Sequence, residues 1–196
     1  MRPWADLART VDATALLVSV ADAKTHLRVT ATDDDADILL LVKVARVAVE
    51  DRTSRATLNQ TWVMKLDKFP IESGEIRLPR PPLASVTSVA YVDGDGASQT
   101  FNSTKYVVST GDVPGRIRLA HGEFWPGTRS QPEAVTVTYI AGYGAASTDV
   151  PSPIVHAAKL IIGDLYEVRE GSIVGTIQKD NPAVDALLLP YTVRMF

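Results

Sequence analysis

The sequence predicts an α+β fold: a helical core carrying an inserted antiparallel β block. Three observations point there. Residues 19–54 have helical spacing. Residues 59–141 switch to period two, with no helix between the strands to carry parallel crossovers. Helical spacing then returns at 151–170. The 196 residues suit one domain, 1–196, with the β insertion at about 55–145.

Residues 1–18 have no clear period and read as an extended arm. Ser19, with Asp22 three residues on, resembles a capping box. Val20, Ala23 and Leu27 then follow at helical spacing. TDDDADILLLVKVARVAVEDRTS is the strongest helix pattern, and Asp33, Asp34 and Asp35 put negative charge at its N-terminal end. Only Lys43, Arg46 and Glu50 form a polar stripe on it. Almost everything else from Ile38 to Val49 is apolar, so burial on more than one side is expected. Leu39, Leu40, Val44 and Val47 are the candidates for a surface covered by a neighbouring subunit.

In the β block, Trp62, Met64 and Leu66 alternate with Val63 and Lys65. Val135, Val137 and Tyr139 alternate with Thr136 and Thr138. Ile76 and Leu78 flank Arg77, and Ile117 and Leu119 alternate with Arg116 and Arg118. Turn signals separate the strands at Glu72-Ser73-Gly74, Asp93-Gly94-Asp95-Gly96, Val113-Pro114-Gly115 and Trp125-Pro126-Gly127. The stretch LPRPPLASV, 78–86, contains P-x-x-P, the minimum for a polyproline ligand. Strands run into it and out of it, so a rigid corner is the better reading. No role can be assigned there to Arg80.

After the block, Ser152 is a fitting N-cap and Pro153 a fitting first helical residue. Ile154, Ala158, Ile161, Leu165 and Val168 form the apolar stripe of the core helix, 151–170, and Gly171 is a stop signal. A polar stretch precedes a short helix and an apolar tail, 182–196. Such a tail is unusual, because termini are ordinarily polar and frayed.

Composition narrows the function. Hydrophobic residues are 45% and charged residues 22%, enough for a core. The net charge is −3, which exerts no bulk pull on nucleic acid or an anionic membrane. No cysteine is present, excluding thiolate metal sites and cysteine nucleophiles and fitting assembly in a cytoplasm. The N-terminal stretch does not read as a signal peptide, and no apolar run approaches the roughly 20 residues that span a bilayer.

Searches for chemistry fail one by one. YVDGDG places Tyr91 and Asn102 at the first and twelfth positions of a calcium loop, where acids are needed. GDGASQ has Gln99 where a dinucleotide loop has its third glycine. His26, His121 and His156 have no metal spacing. Arg77, Arg80, Arg116, Arg118 and Arg129 read as a polar sheet face, since no aromatics interleave them. No catalytic, cofactor or metal residue is assigned.

Taken in order, the motifs resemble a known family. They are VADAKTHLRV with DDDADILLLVKVARVAVE, RTSRATLNQTW, IRLPRPPLASVTSVAYVDGDG, YVV, GRIRL with FWP, AVTVTYIAGYG, VPSPIVHAAKLIIGDLYEVREG, and PAVDALLLPYTVR. The pattern is similar to head–tail connector (adaptor) proteins of long-tailed bacteriophages, prophages and gene transfer agents. The resemblance implies a structural virion protein of the neck, without catalytic residues. It implies a homo-oligomeric ring of about a dozen subunits, assembled in the bacterial host cytoplasm. Its partners would be the portal protein and a stopper or tail-completion protein, and DNA would pass through without sequence-specific binding. The C-terminal segment would reach the portal, giving Leu187, Leu188, Leu189, Pro190, Tyr191, Val193, Arg194 and Phe196 as candidate contacts. The alternative is a β-domain binding module for a carbohydrate or host protein, whose signature would be exposed Trp62 and Trp125, although both also read as core. A hydrolase built from scattered His and Asp has no motif behind it.

Overall fold

The computed structural model describes residues 6–70, 74–167 and 181–193. Val168, Gly171, Arg194 and Phe196 and the polar stretch before the short helix lie outside them, as do Glu72 and Ser73 of the first turn. The chain divides into two compact units. One comprises residues 1–13, 59–143 and 193–196, and the other 14–58 and 144–192.

The first unit is built of β-strands, with a 3-10 turn at Ser103–Lys105. Its larger sheet has five antiparallel strands in the order β1-β2-β8-β4-β5. These are β1 (Asp6–Val11), β2 (Gln60–Leu66), β4 (Leu83–Val92), β5 (Ser98–Thr100) and β8 (Val135–Ala141). The smaller sheet orders β3 (Glu75–Leu78), β7 (Gly115–Leu119) and β6 (Tyr106–Ser109) as β3-β7-β6.

Strands β2 and β8 form the centre. They pair in continuous register from Gln60 opposite Ala141 to Leu66 opposite Val135. In both, every second residue is buried. This is what period two requires of a sheet with one face on the core. Tyr139 and Met64 are among the largest fully buried side chains of the chain. The Tyr139 hydroxyl donates to the Pro79 carbonyl at 2.9 Å, so its one polar atom is satisfied. Burial raises its pKa.

The arm read at the N-terminus is an edge strand over Asp6–Val11, antiparallel to β2. The Asp-Gly turn joins β4 to β5. Asp93 Oδ1 accepts from the backbone N–H groups of Asp95 and Ala97 at 3.1 and 2.9 Å. Gly96 sits there at φ +91, a conformation that favours glycine.

The second unit packs α1 (Val20–Leu27), α2 (Asp35–Thr53), α3 (Ser152–Glu167) and α4 (Pro182–Leu188). Ser19 caps α1 as expected, accepting from Asp22 N at 3.0 Å. The acids at the head of α2 do more than face its dipole. Asp35 accepts from Lys24 Nζ of α1 at 2.6 Å, and Asp34 accepts from the Tyr166 hydroxyl of α3 at 2.8 Å. Two carboxylates thereby tie three helices together.

Helix α3 buries Ile154, Ala157, Ala158, Ile161 and Ile162. Leu165, expected on that stripe, is exposed. Helix α4 is capped by Asn181, whose side chain accepts from Ala183 N at 3.1 Å and donates to Asp164 Oδ2 of α3 at 3.1 Å. Among the described residues, no helix is long and apolar enough to cross a membrane.

Candidate assembly surfaces

Helix α2 inverts the usual partition. Its expected polar stripe does not face water. Arg46 and Glu50 are buried, at 7% and 4% exposure, and only Lys43 of the three is exposed. The reason is local. The Glu50 carboxylate accepts from both the backbone N–H and the hydroxyl of Thr57, at 3.1 and 2.7 Å. It thereby satisfies the chain as it leaves the helix, where backbone donors would otherwise be orphaned. Ser54 ends the helix at φ +56, its N–H donating to Glu50 O.

Ile38, Val42, Ala45 and Val49 are buried beside Arg46 and Glu50, while a second apolar row faces outward. Leu40, Val44 and Val47 are 59%, 43% and 40% exposed. Their spacing, four then three, aligns them on one face. Leu39 is half-buried. Three large aliphatics in a row on a helix are more than a scatter of single exposed apolar residues.

The C-terminal candidates separate by burial. Leu188 is 2% exposed and lies in the core of the helical unit, so its side chain is already committed. Its position on α4 turns it onto the unit's own core, unlike the exposed Leu189 beside it. Leu187 and Tyr191 are half-buried, as is Val193. Leu189 is 70% exposed, and Pro190 is exposed beside it. The Arg55 guanidinium donates to the Tyr191 carbonyl at 2.5 Å, pinning this segment to the end of α2. Nothing in the sequence pattern around Arg55 signals that bond, because its partner is a backbone atom 136 residues away.

The β unit answers the questions about its arginines. Arg80 takes φ +60, unusual for a residue with a Cβ. Its guanidinium lies over the Trp62 ring, 5.5 Å from the centroid. A cation on an indole face contributes about 1 kcal/mol, comparable to the cost of the strained backbone. The proline-rich stretch is thus a folded corner between β3 and β4, held by Tyr139 on Pro79 and by Gly142 N donating to Pro82 O at 2.9 Å.

Arg77, Arg116 and Arg118 converge on Glu75, at 2.9, 3.2 and 3.9 Å. The hydrogen bond from Arg77, helped by that from Arg116, holds the Glu75 carboxyl below its usual range against its own desolvation. Arg116 also bonds Asp112 at 2.7 Å. These cations are largely engaged by acids of the same sheet, which weakens them as a nucleic-acid surface.

Neither tryptophan stands out as a ligand platform. Trp62 is buried. Trp125 is half-buried and stacks on Phe69, with centroids 4.6 Å apart and planes 6° from parallel. An open depression of about 650 Å³ runs beside them, lined by Asp67, Phe69, Trp125, Pro126, Arg129 and Gln131 among others. Among the described residues, no group of three or more His, Asp or Glu could hold a metal ion. His26 and His156 meet edge to face, with centroids 6.4 Å apart, and both are exposed.

No protein-family model matches the sequence, and no curated protein matches it. Solved structures do. A chain in the neck of an empty gene transfer agent (GTA) particle, computed with C6 symmetry, is 25% identical, with a TM-score of 0.79. A chain in the virion of a native GTA particle is 25% identical, at 0.77. One in the neck of a native GTA particle, computed with C12 symmetry, is 23% identical, at 0.76. Each match covers 97% of this chain and 97% of the other. Over nearly its whole length, then, the chain has the fold of a protein found in the neck of gene transfer agent particles, in agreement with the connector-type resemblance of its sequence.

Proposed function

We propose that the chain is a structural virion protein of the neck, a head–tail adaptor that forms a ring, binds the portal on one side and a stopper or tail-completion protein on the other, and extends the DNA channel. The observation that carries this reading is the whole-length likeness to neck chains of GTA particles, end to end in both partners. Two of those necks were computed with C6 and C12 symmetry, which fits a cyclic ring. The exposed stripe Leu40, Val44 and Val47 supplies a surface for the neighbouring subunit. The exposed pair Leu189 and Pro190 begins the surface offered to the portal, and Val193, Arg194 and Phe196 continue it in sequence. The role is structural and not catalytic.

Light scattering and negative-stain imaging of the protein, alone and with assembled portal, test the reading. Rings, or decoration of the portal vertex, are expected. A chain that stays monomeric and leaves the portal bare overturns it. Truncation after Thr192 tests the tail. It spares the buried Leu188 and the bond from Arg55 to Tyr191, so the fold should persist while portal binding drops at least tenfold. Unchanged binding removes the tail from the mechanism.

A further inference from the structure

Strand β1 is held almost wholly by its backbone. Five of its six residues are exposed and none is buried. Leu7, opposite Met64, is half-buried and is its one contribution toward the core face. Its side chains reach β2 through Arg9 Nη1 to Gln60 Oε1 and Thr10 Oγ1 to the Thr61 carbonyl, each at 3.4 Å. Strand β2 is different. Half of it is core, and its free edge would expose a row of unpaired backbone groups next to Trp62 and Met64. Such an edge needs a covering strand. It does not need a particular side-chain sequence, so the β1 of any copy fits.

The covalent layout leaves the donor open. By its contacts β1 belongs to the β unit, but the next residues of the chain, from Thr14, belong to the helical unit. Leu17 and Val18 are already buried, at 1% and 2% exposure. Only Asp12–Leu16 remains as a link. Strand β1 and the helical unit are joined through that link. A short link between a strand and a fixed anchor favours exchange between copies. The ladder formed is the same in either case, so local concentration decides between them.

We infer that in the assembled protein β1 is exchanged, the Asp6–Val11 strand of one subunit completing the five-stranded sheet of the next along the edge of β2. This rests on the ring reading above. The exchange is head-to-tail, the class of contact that closes into rings. Each subunit would then be tied to its neighbour by a strand as well as by the α2 face.

Because the natural sequence has no cysteine, disulfide trapping reads the exchange directly. Ala8 lies opposite Val63 in the β1–β2 register. The double variant Ala8→Cys, Val63→Cys is oxidised across a range of protein concentrations, from micromolar to millimolar, while light scattering records the mass. The pair Val63→Cys, Thr138→Cys bridges β2 and β8 and must always close within one chain. The expected result is a non-reducing ladder of multiples of the monomer for the first pair, growing with concentration, and a monomer band for the second. A ring that forms with only monomer-sized product overturns the exchange and leaves the ring intact. Monomer-sized product with no ring at any concentration overturns both. A variant lacking residues 6–11 gives a second reading. It should keep its helical and β circular dichroism but lose assembly, and undiminished rings would rule out the strand as a tie.

Discussion

Strand β2 and helix α2 are the spines of the two units, and they treat their side chains in opposite ways. In β2 Trp62, Met64 and Leu66 alternate inward with Gln60, and Thr61, Val63 and Lys65 take the other face. In α2 a buried Arg46 and Glu50 share the core-facing side while Leu40, Val44 and Val47 face out. A strand inside a sheet has its register enforced by both neighbours, and a slip of one residue would turn its whole apolar set outward. A helix has no such enforcement. Its rotation is set by the sum of its contacts, here the burial of Ile38, Val42, Ala45 and Val49 together with the bonds from Thr57 to Glu50. Regions that obey the local rule report the chain's own fold. Regions that break it point to something outside the chain.

The comparison can be broken in graded ways. The largest effect is expected at Glu50→Ala, which leaves the Thr57 N–H and hydroxyl unpaired inside the helical unit. Two buried donors without an acceptor cost about 2–4 kcal/mol, readable by urea denaturation. A loss below about 0.5 kcal/mol would mean that the buried carboxylate does not help set the helix rotation.

Next is Gly115→Ala in β7. A Cβ there would lie 2.5 Å from Leu83 Cβ of β4, with no far end of a side chain to swing away. Overpacking of this kind costs about 1–3 kcal/mol and should lower the melting temperature. A smaller loss, about 1 kcal/mol, is expected for Tyr139→Phe, which removes only the bond to Pro79.

At Leu40→Asp with Val44→Asp the prediction reverses. Stability of the isolated chain should change by less than about 0.5 kcal/mol, while assembly is abolished. Unfolding of this variant would instead return the stripe to the protein's own core.

The smallest effect is in pH dependence. Glu75 has its folded pKa lowered from an ordinary value near 4.5. Its contribution is therefore complete above the unfolded value and lost as pH falls through the folded one. Glu75→Gln should flatten the stability profile on the acid side and leave its slope near neutrality unchanged.

The same contrast explains what could be read from the sequence. Strands β2, β3, β7 and β8 were legible because each has one buried face and therefore a visible period. The cap at Ser19 sits where its short polar side chain and spacing place it, whereas the cap at Asn181 is seen only in the structure. Strand β1 was not legible, because a strand that buries nothing carries no alternation. Helix α2 was legible as a helix but not in its orientation, since Arg46 and Glu50 look like a solvated stripe until Thr57 is seen against them. Of the candidate contacts, Leu40, Val44 and Val47 are exposed as an interface needs. Leu188 is not, because a short helix must bury something of its own, and Leu188 does so with Val184. The division into two sheets had no signal at all. Period two gives each strand a face but says nothing of which sheet it joins.

The interleaving of the two units has a kinetic consequence. Helices α1 and α2 are synthesised before the whole of Asn59–Tyr143, and α3, the helix against which α2 packs, only after it. The central β segment can close from contiguous chain, but the helical unit must wait for a partner across a long intervening sequence. Separations of that size slow folding. On a ribosome, α2 would therefore stand with both apolar sides uncovered until the β unit had formed. The inner side is covered when α3 arrives, and the outer side, in the proposed ring, waits for a second molecule.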